Sequence, residues 1–250
     1  MVARRRKFQG VLNILSFNRH FYLIGLAGLA FLFLAQWKLA FPEVIFYAII
    51  FAFLYGLVMP LIVSAYVYDY SGFYTFDWVR QFRIQDSAHN LFLNVNAGFD
   101  ETSFLIKDTF PACNLKVFDF YNAEKHTEPA IVRARKVSDV YPDTTQISTS
   151  FIPLEDESVD VIFLLSAVHE IRSQAEKIVF LRECRRVCKP SGQVIMVEHL
   201  RDLPNFLAFS VGFTHFFSRK VWREAFTAAG FSSFSESKFT PFMSIFRCGT

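Results

Sequence analysis

The first seventy residues contain two long stretches that are almost free of polar side chains. Residues 21–37 are nearly all apolar, and residues 44–68 carry no charge at all. Each stretch is long enough for a helix to cross a hydrocarbon core of about 30 Å. Only six residues, 38–43, separate them, so the pattern predicts a transmembrane helical hairpin over residues 21–68.

A basic cluster precedes the hairpin and predicts its orientation. Residues 1–20 form a basic lead-in that contains the run from Arg4 to Lys7. Such clusters stay on the cytoplasmic side, and a hairpin returns the chain to that side. The remainder is therefore predicted on the cytoplasmic face of an integral membrane protein. A secretory signal is the competing interpretation, but no small-residue cleavage site follows and a second span comes immediately.

The segment between the hairpin and the following domain, residues 69–89, is rich in Tyr, Trp and Phe. Tyr and Trp suit the headgroup layer, where one end of the side chain remains hydrated. Two interpretations stay open at this point. The segment serves for anchoring alone, or it forms part of a substrate entrance that faces the bilayer.

From residue 90 to residue 250 the pattern alternates between short apolar runs and amphipathic helices. Strands are predicted at residues 91–95, 115–118, 146–148, 159–165, 193–199, 231–239 and 242–248. Helices are predicted at residues 100–108 and 173–188, and between an N-cap at Ser218 and a stop at Gly230. Such alternation, ending in an antiparallel pair, predicts an α/β fold with a doubly wound, mostly parallel seven-stranded sheet.

Composition supports a membrane segment and argues against some partners. The 32 Phe residues, the 52% share of apolar residues and the positive mean hydropathy indicate that part of the chain lies in lipid. The net charge of +3 is small, and no basic stripe indicates nucleic acid. The four cysteines fit no zinc-ribbon spacing and are predicted to be free and reduced.

The most specific pattern lies between residues 148 and 199. An Ile-Pro-Leu sequence and an acidic loop lead into the apolar run 161–165, and a charged helix ends at Lys189-Pro190-Ser191-Gly192 before the run 193–199. This pattern resembles the second half of class I S-adenosylmethionine (SAM) dependent methyltransferases. The chain is most similar to the small methyltransferases of ubiquinone and menaquinone biosynthesis, with a hairpin added in front. The resemblance covers residues 90–248 and implies a Rossmann-like fold with SAM as cofactor.

In the family that the chain resembles, the turn after strand one binds the cofactor through an acidic residue and three alternating glycines. Here Asn94 stands at the acidic position and Asn96 at the first glycine. Gly98 is retained, and Asp100 replaces the last glycine. The resemblance assigns these four residues to the cofactor site. Asn can adopt the left-handed conformation that such a turn requires.

The resemblance also implies contacts at the ends of strands two and three. Asp119 ends strand two, where a carboxylate of the family accepts both ribose hydroxyl protons. Ser148 and Thr149 occupy the position after strand three, next to the adenine in the family. These hydroxyl groups complete the predicted cofactor-binding set.

Two His-Glu pairs follow strands four and five. His169 and Glu170 come after strand four, and Glu198 and His199 after strand five. Histidine has the pKa of a base near neutral pH, so one of the two histidines is predicted as base or substrate-orienting residue, with a glutamate as its partner. A structural hydrogen-bond network and a divalent metal site are the alternatives. Adjacent strand residues point to opposite faces, which argues against one ion, so no metal is predicted.

The stretch from residue 203 to residue 217 is unusually apolar for a connection after strand five. It either packs on the hairpin or lines a pocket for a hydrophobic acceptor. The resulting hypothesis is a membrane-anchored SAM-dependent methyltransferase acting on a hydrophobic small molecule or lipid, with its oligomeric state open. The altered glycine turn motivates the alternative of a membrane-tethered binding module that has lost catalysis. A metal-assisted enzyme on the same fold is the third hypothesis.

Overall fold

A computed structural model describes residues 5–249, so Arg4 of the basic run lies outside the described residues. Helix α1 (Gln9–Phe17) leads into α2 (Arg19–Leu39), and α3 (Glu43–Ser64) follows after a short connection. The apolar windows of the two long helices are 0% and 6% buried, and both pass the length and composition test for a span. The prediction of two apolar helices is therefore confirmed. Helix α2 extends two residues beyond each end of the predicted stretch 21–37.

The chain does not leave α3 as a free linker. It continues as a π-helical turn (Ala65–Tyr70) and two 3-10 turns (Phe73–Thr75 and Asp77–Phe82). Phe76 is buried against Phe163 at the centre of the sheet. The aromatic segment after the hairpin thus forms one layer of the folded domain, because its rings are large enough to cover the apolar face of the strands.

Seven strands form one sheet in the order β3-β2-β1-β4-β5-β7-β6. Their bounds are β1 Leu91–Asn96, β2 Asn114–Asp119, β3 Thr145–Gln146, β4 Val159–Leu165, β5 Cys188–His199, β6 Ser233–Lys238 and β7 Met243–Gly249. The first five strands pair in parallel and β7 pairs antiparallel to both neighbours. The predicted doubly wound, mostly parallel architecture is confirmed. The strand order reverses between β1 and β4, where ligands bind in open α/β sheets.

The remaining helices are short, and most begin at a side-chain cap. They are α4 Ser103–Thr109, α5 Pro129–Ala134, α6 Gln174–Val187, α7 Leu203–Phe209 and α8 Arg219–Ala229. Ser173, Asp202 and Ser218 accept hydrogen bonds from backbone N–H groups of the first turns. Gly230 ends α8 with a φ of 89°, a conformation that favours glycine, as the sequence predicts.

Alternate strand residues supply two separate cores. Leu93, Ile162 and Met196 pack with α6 and α8 on one face, whereas Phe92 and Phe163 pack with α4 and the turns after α3 on the other. This period of two explains the continuous apolar runs in β1, β4 and β5, because both faces of each strand are covered.

Truncation of a central ring tests this packing. We expect Phe163→Ala to lower the free energy of unfolding by about 3–5 kcal/mol, since the ring is fully buried between the sheet and the turns after α3. Phe151→Ala is the matched control, because its ring is 59% exposed and should change the value by about 0.5 kcal/mol or less. Denaturant unfolding in detergent measures both. Equal losses in the two variants would contradict the packing described.

Candidate active site

The turn after β1 is organised around two buried asparagines. The Asn94 side-chain amide donates hydrogen bonds to the hydroxyls of Thr102 (3.1 Å) and Ser103 (2.8 Å). These contacts tie the end of β1 to the start of α4. Asn96 Oδ1 accepts a hydrogen bond from the Gly98 N–H at 2.8 Å, and Gly98 has a φ of 82°. The turn therefore keeps its shape without the full set of glycines.

Asp100 lies just before α4 and binds backbone N–H groups at its start. Its Oδ1 accepts hydrogen bonds from the backbone N–H groups of Thr102 and Ser103, at 3.0 and 2.9 Å. Its other oxygen, Oδ2, is buried and has no hydrogen-bond partner within the described residues. The same holds for Asn94 Oδ1 and Asn96 Nδ2.

Three unpaired polar atoms around one turn are informative, because burying such an atom without a partner costs about 1–3 kcal/mol. Two are acceptors and one is a donor, which matches the ammonium and carboxylate of an amino-acid group. The chemistry of the turn thus fits the amino-acid end of SAM, although two of the family's glycines are replaced.

Asp119 lies at the end of β2, as predicted, and is already partnered. Its Oδ1 accepts a hydrogen bond from the Tyr121 N–H at 2.7 Å, and its Oδ2 accepts one from Arg135 Nη1 at 3.2 Å. Burial raises the pKa of Asp119, and the Tyr121 N–H and the Arg135 guanidinium oppose that rise. Asp119 is thus close enough to the β1 turn for a shared ligand, since β1 and β2 pair through Asn96 and Asp119.

Arg135 is the residue at this site that sequence reasoning missed. Its guanidinium lies 3.8 Å from the ring centre of Tyr121 and fills the space beside Gly98, where a Cβ would come within 2.1 Å of Nη1. The side chain therefore occupies the gap between the β1 turn and Asp119. Arg135 is one of three neighbouring basic residues, with Arg133 and Lys136, and nothing in the sequence distinguishes it from the other two.

Glu101 is a second residue that the sequence did not single out. Its carboxylate accepts hydrogen bonds from Arg5 (2.6 Å), Gln9 (2.9 Å) and Tyr74 (2.6 Å). The lead-in before the hairpin is thereby fixed beside the β1 turn. Glu101 directly follows Asp100, but its partners come from segments far away in sequence.

The two hydroxyl residues after β3, Ser148 and Thr149, make their hydrogen bonds with residues outside the β1 turn. Ser148 is exposed and its hydroxyl pairs with that of Ser150 at 2.8 Å. Thr149 is buried and donates to Glu176 of α6 at 2.5 Å. Their assignment to the cofactor site stays a prediction from the resemblance.

The His-Glu pairs after β4 and β5 separate into two arrangements. His169 lies in a 3-10 turn (Val168–Glu170), and its Nδ1 is 2.7 Å from Glu198 Oε2. The backbone N–H of His169 also donates to Glu198 Oε1 at 3.2 Å. On the other side of the ring, Nε2 is 3.5 Å from Glu170 Oε1. Glu198 thus orients the imidazole, as a carboxylate does in His-based catalytic sites.

Electrostatics favour the charged form of this imidazole. Burial by itself lowers the pKa of His169, but the Glu198 carboxylate and the hydrogen bonds to Glu170 and Glu198 outweigh burial and raise it to about 10. The pKa of Glu170 is lowered: burial raises it, but the hydrogen bond and charge of His169 prevail. The raised pKa of His169 therefore favours an ion pair with the Glu198 carboxylate 2.7 Å away.

His199 faces the opposite side of β5. Its Nε2 lies 2.8 Å from the Tyr68 hydroxyl, and its Nδ1 lies 3.1 Å from Asn205 Oδ1 and 2.9 Å from the Phe242 carbonyl oxygen. Burial lowers its pKa to about 4, against the hydrogen bond to Asn205 and the charge of Glu198. His199 is therefore neutral and links the turn after α3, helix α7 and the residue that precedes β7.

A third histidine joins the first arrangement. The His215 ring centre is 5.0 Å from that of His169, and its Nδ1 is 3.1 Å from Glu128 Oε2. One ligand atom each from His169, Glu170 and His215 lie within 4.8 Å of one another. Two imidazoles and a carboxylate are a ligand set that transition metals accept. His215, which sequence analysis did not predict, replaces His199 in such a set.

Comparisons with known proteins agree with this geometry. Residues 115–196 match a family described as a methyltransferase domain; the match begins at β2 and excludes the altered β1 turn. A stretch of 92 residues is 30% identical to a highly reducing polyketide synthase from Pyrenophora dematioidea. That stretch is 31% of this chain, which spans only 4% of the length of that relative.

Solved methyltransferase structures share the fold at low identity. The structure of human N-acetylserotonin methyltransferase in complex with SAM aligns with 78% of this chain, and the alignment includes 55% of the human chain. The TM-score is 0.51 and the sequence identity is 14%. A SAM-dependent methyltransferase from Aquifex aeolicus covers 72% and 93%, with a TM-score of 0.50 and 17% identity. PigF with S-adenosylhomocysteine (SAH) covers 78% and 59%, with a TM-score of 0.51 and 17% identity.

The two comparisons agree with the resemblance. The chain has the fold of class I SAM-dependent methyltransferases, and residues 115–196 match a methyltransferase domain family. SAM is the cofactor of this class of domain.

The ion pair between His169 and Glu198 predicts a titration shift. Glu198→Gln keeps the size of the side chain and removes its charge, so the pKa of His169 should fall from about 10 because burial then dominates. Histidine NMR titration in detergent measures this. Glu170→Gln is the matched control and should cause a smaller fall, because Glu170 is 3.5 Å away and Glu198 is 2.7 Å away.

The same substitution has a signed effect on stability. A histidine whose pKa is raised in the folded state contributes stability that is complete below its unfolded value of 6.5 and is lost as pH rises through about 10. The difference in unfolding free energy between the wild type and Glu198→Gln should therefore shrink over that range. A difference independent of pH would contradict the ion pair.

Proposed function

We propose that the protein is a membrane-anchored, SAM-dependent methyltransferase with a hydrophobic small molecule as acceptor, and that His169 acts as its base. The observation that carries the proposal is the His169–Glu198 pair at the carboxyl ends of β4 and β5. Strand β4 borders the switch point, next to the β1 turn that carries the three unpaired polar atoms, and β5 is its other neighbour.

The cofactor supplies a methyl group on a positively charged sulfur, so the protein mainly aligns reactants and excludes water. In the proposed site, the unpaired atoms of Asn94, Asn96 and Asp100 bind its amino-acid end. Asp119 binds the ribose hydroxyls once the Arg135 guanidinium has moved away. The resemblance supports these assignments, and the donor and acceptor pattern fits them.

The proposed role of His169 follows from its electrostatics. At neutral pH the imidazole is protonated next to Glu198, so it has to lose a proton before it can act as a base. The positively charged sulfur of a bound cofactor would disfavour the imidazolium and shift His169 toward its neutral form, with the proton released to solvent. Nε2 then accepts the proton of the attacking group of the acceptor, while Glu198 stabilises the imidazolium that forms.

An apolar groove supports a hydrophobic acceptor. It has a volume of about 300 Å³ and lies between α3 and the segment after β5. Its lining is Met59, Val63, Leu203, Pro204, Leu207, Ala208, Pro241 and Phe242. The carbonyl oxygen of Phe242 accepts a hydrogen bond from Asn205 and lies 2.9 Å from His199, so the groove adjoins the His199 side of β5. An acceptor bound in the groove therefore has to extend past the end of β5 to reach His169.

The anchor and its orientation are supported by composition. Two long apolar helices with almost no buried surface precede the domain, and the basic run before them favours the cytoplasmic face. The similarity to N-acetylserotonin methyltransferase and to a polyketide synthase supports a small-molecule acceptor.

Metal-assisted chemistry is a second candidate, favoured by the proximity of His169, Glu170 and His215. In that case His169 is a ligand and not a base. Activity that disappears on chelation and returns with a divalent ion would establish it. A carboxylate on the other ring nitrogen, as Glu128 is on His215 and Glu198 is on His169, is compatible with either role, so the chelation experiment decides between them.

Calorimetric titration of the detergent-solubilised protein tests the cofactor site. We expect binding of SAM and SAH, and we expect Asp119→Ala to abolish or strongly weaken it because the ribose loses its acceptor. Arg135→Ala should act in the opposite direction and tighten binding, since it frees both the Asp119 carboxylate and the space beside Gly98. A folded protein that binds neither compound would instead support a binding module without catalysis.

Comparison of the two histidines tests the proposed base. His169→Gln should lower the rate of methyl transfer about 10²–10⁴-fold, the usual contribution of a general base. His199→Gln should mainly lower the unfolding temperature, because His199 connects three elements. Its loss of rate should be smaller than that of His169→Gln. Transfer of labelled methyl groups from SAM to a total membrane lipid extract measures the rates. A larger rate loss in His199→Gln would overturn the assignment.

A further inference from the structure

The segment after β5 exposes an apolar surface that the folded domain does not cover. Leu203 is 67% exposed and Val211 is 81% exposed, and Phe206 and Leu207 between them are also exposed. No charged residue occurs from residue 203 to residue 214. Contiguous apolar patches on soluble proteins are small, and larger ones mark binding surfaces.

Contacts with α3 show where this surface lies. The Tyr55 hydroxyl donates a hydrogen bond to the carbonyl oxygen of Leu207 at 2.7 Å. Tyr55 precedes the end of α3 at Ser64 by nine residues, which is about 13 Å along a helix. Helix α7 therefore lies beside the apolar body of α3 and not beside its end.

The exposed surface of α7 continues onto α3. Leu54, Val58 and Ile62 recur every four residues and are all exposed, so they form one stripe along α3. Charged groups occur only where the segment leaves the domain: Arg201 donates hydrogen bonds to the carbonyl oxygens of Thr214 and Phe216. The segment is thus apolar in its outer part and polar where it joins the domain, as in interfacial membrane elements.

We infer that residues 203–215 form a third membrane-contacting element, with the bilayer covering the exposed face of α7. The inference rests on the proposed membrane anchoring by α2 and α3. Lipid is the favoured occupant because the patch is continuous with the exposed stripe of α3, which is itself the face of a candidate span. In this arrangement the groove between α3 and α7 opens to lipid, and an acceptor enters from the bilayer without crossing water.

Site-specific fluorescence tests the inference on the full-length protein. The four native cysteines are buried, so an introduced cysteine takes the label. Val211→Cys carries an environment-sensitive dye, and the protein is placed in nanodiscs of phosphatidylcholine with brominated acyl chains. Phe31→Cys on α2 reports the anchor, and Ala112→Cys, exposed just before the amino end of β2, is the water-exposed control.

We expect the dye at position 211 to lose most of its emission in brominated lipid, as at position 31, while the dye at position 112 is quenched only by aqueous iodide. If position 31 contacts lipid but position 211 is quenched by iodide, the inference is wrong and the anchor stands. If neither contacts lipid, the proposed anchoring fails with it. If position 211 is shielded from both quenchers, protein covers the patch and the inference is overturned.

Discussion

The buried carboxylate of Glu198 is the constraint around which the site is arranged. It is 1% exposed at the end of β5 and accepts hydrogen bonds from both the backbone and the ring of His169. A charge this deep requires partners, because an unpaired buried carboxylate is strongly unfavourable. The turn after β4 therefore has to approach β5, and the imidazole is held in one orientation with Nε2 free to face a reactant or Glu170.

The apolar helices and the folded domain are joined by side-chain contacts into one structure. Tyr68, in the π-helical turn after α3, meets His199 at the end of β5, and Arg5 of the lead-in meets Glu101 beside the β1 turn. Phe73 and Phe76 are buried against the sheet. The proposed anchor thus contributes to the wall of the site, and an acceptor that reaches the groove beside α3 is already next to β5.

The cofactor turn illustrates how a motif can change while its geometry is retained. Asn96 and Asp100 satisfy backbone N–H groups by themselves, so the turn does not depend on glycine at those positions. Gly98 remains glycine for two reasons, its positive φ and the close approach of Arg135. In the proposed cofactor site, the pairing of Arg135 with Asp119 means that the ribose has to compete with the guanidinium for this carboxylate.

The sequence by itself determined the sheet, the two apolar helices and the end of each strand where chemistry lies. Apolar runs, caps such as Ser218 and stops such as Gly230 act locally, so their signal is readable in the sequence. Only the tertiary structure decided which histidine joins which glutamate, because His169 lies in the turn after β4 on the Glu198 side of β5, whereas His199 faces the other side. It also placed Arg135, Glu101 and His215. Their partners lie far away in sequence and come close only in the tertiary fold, which no local pattern encodes.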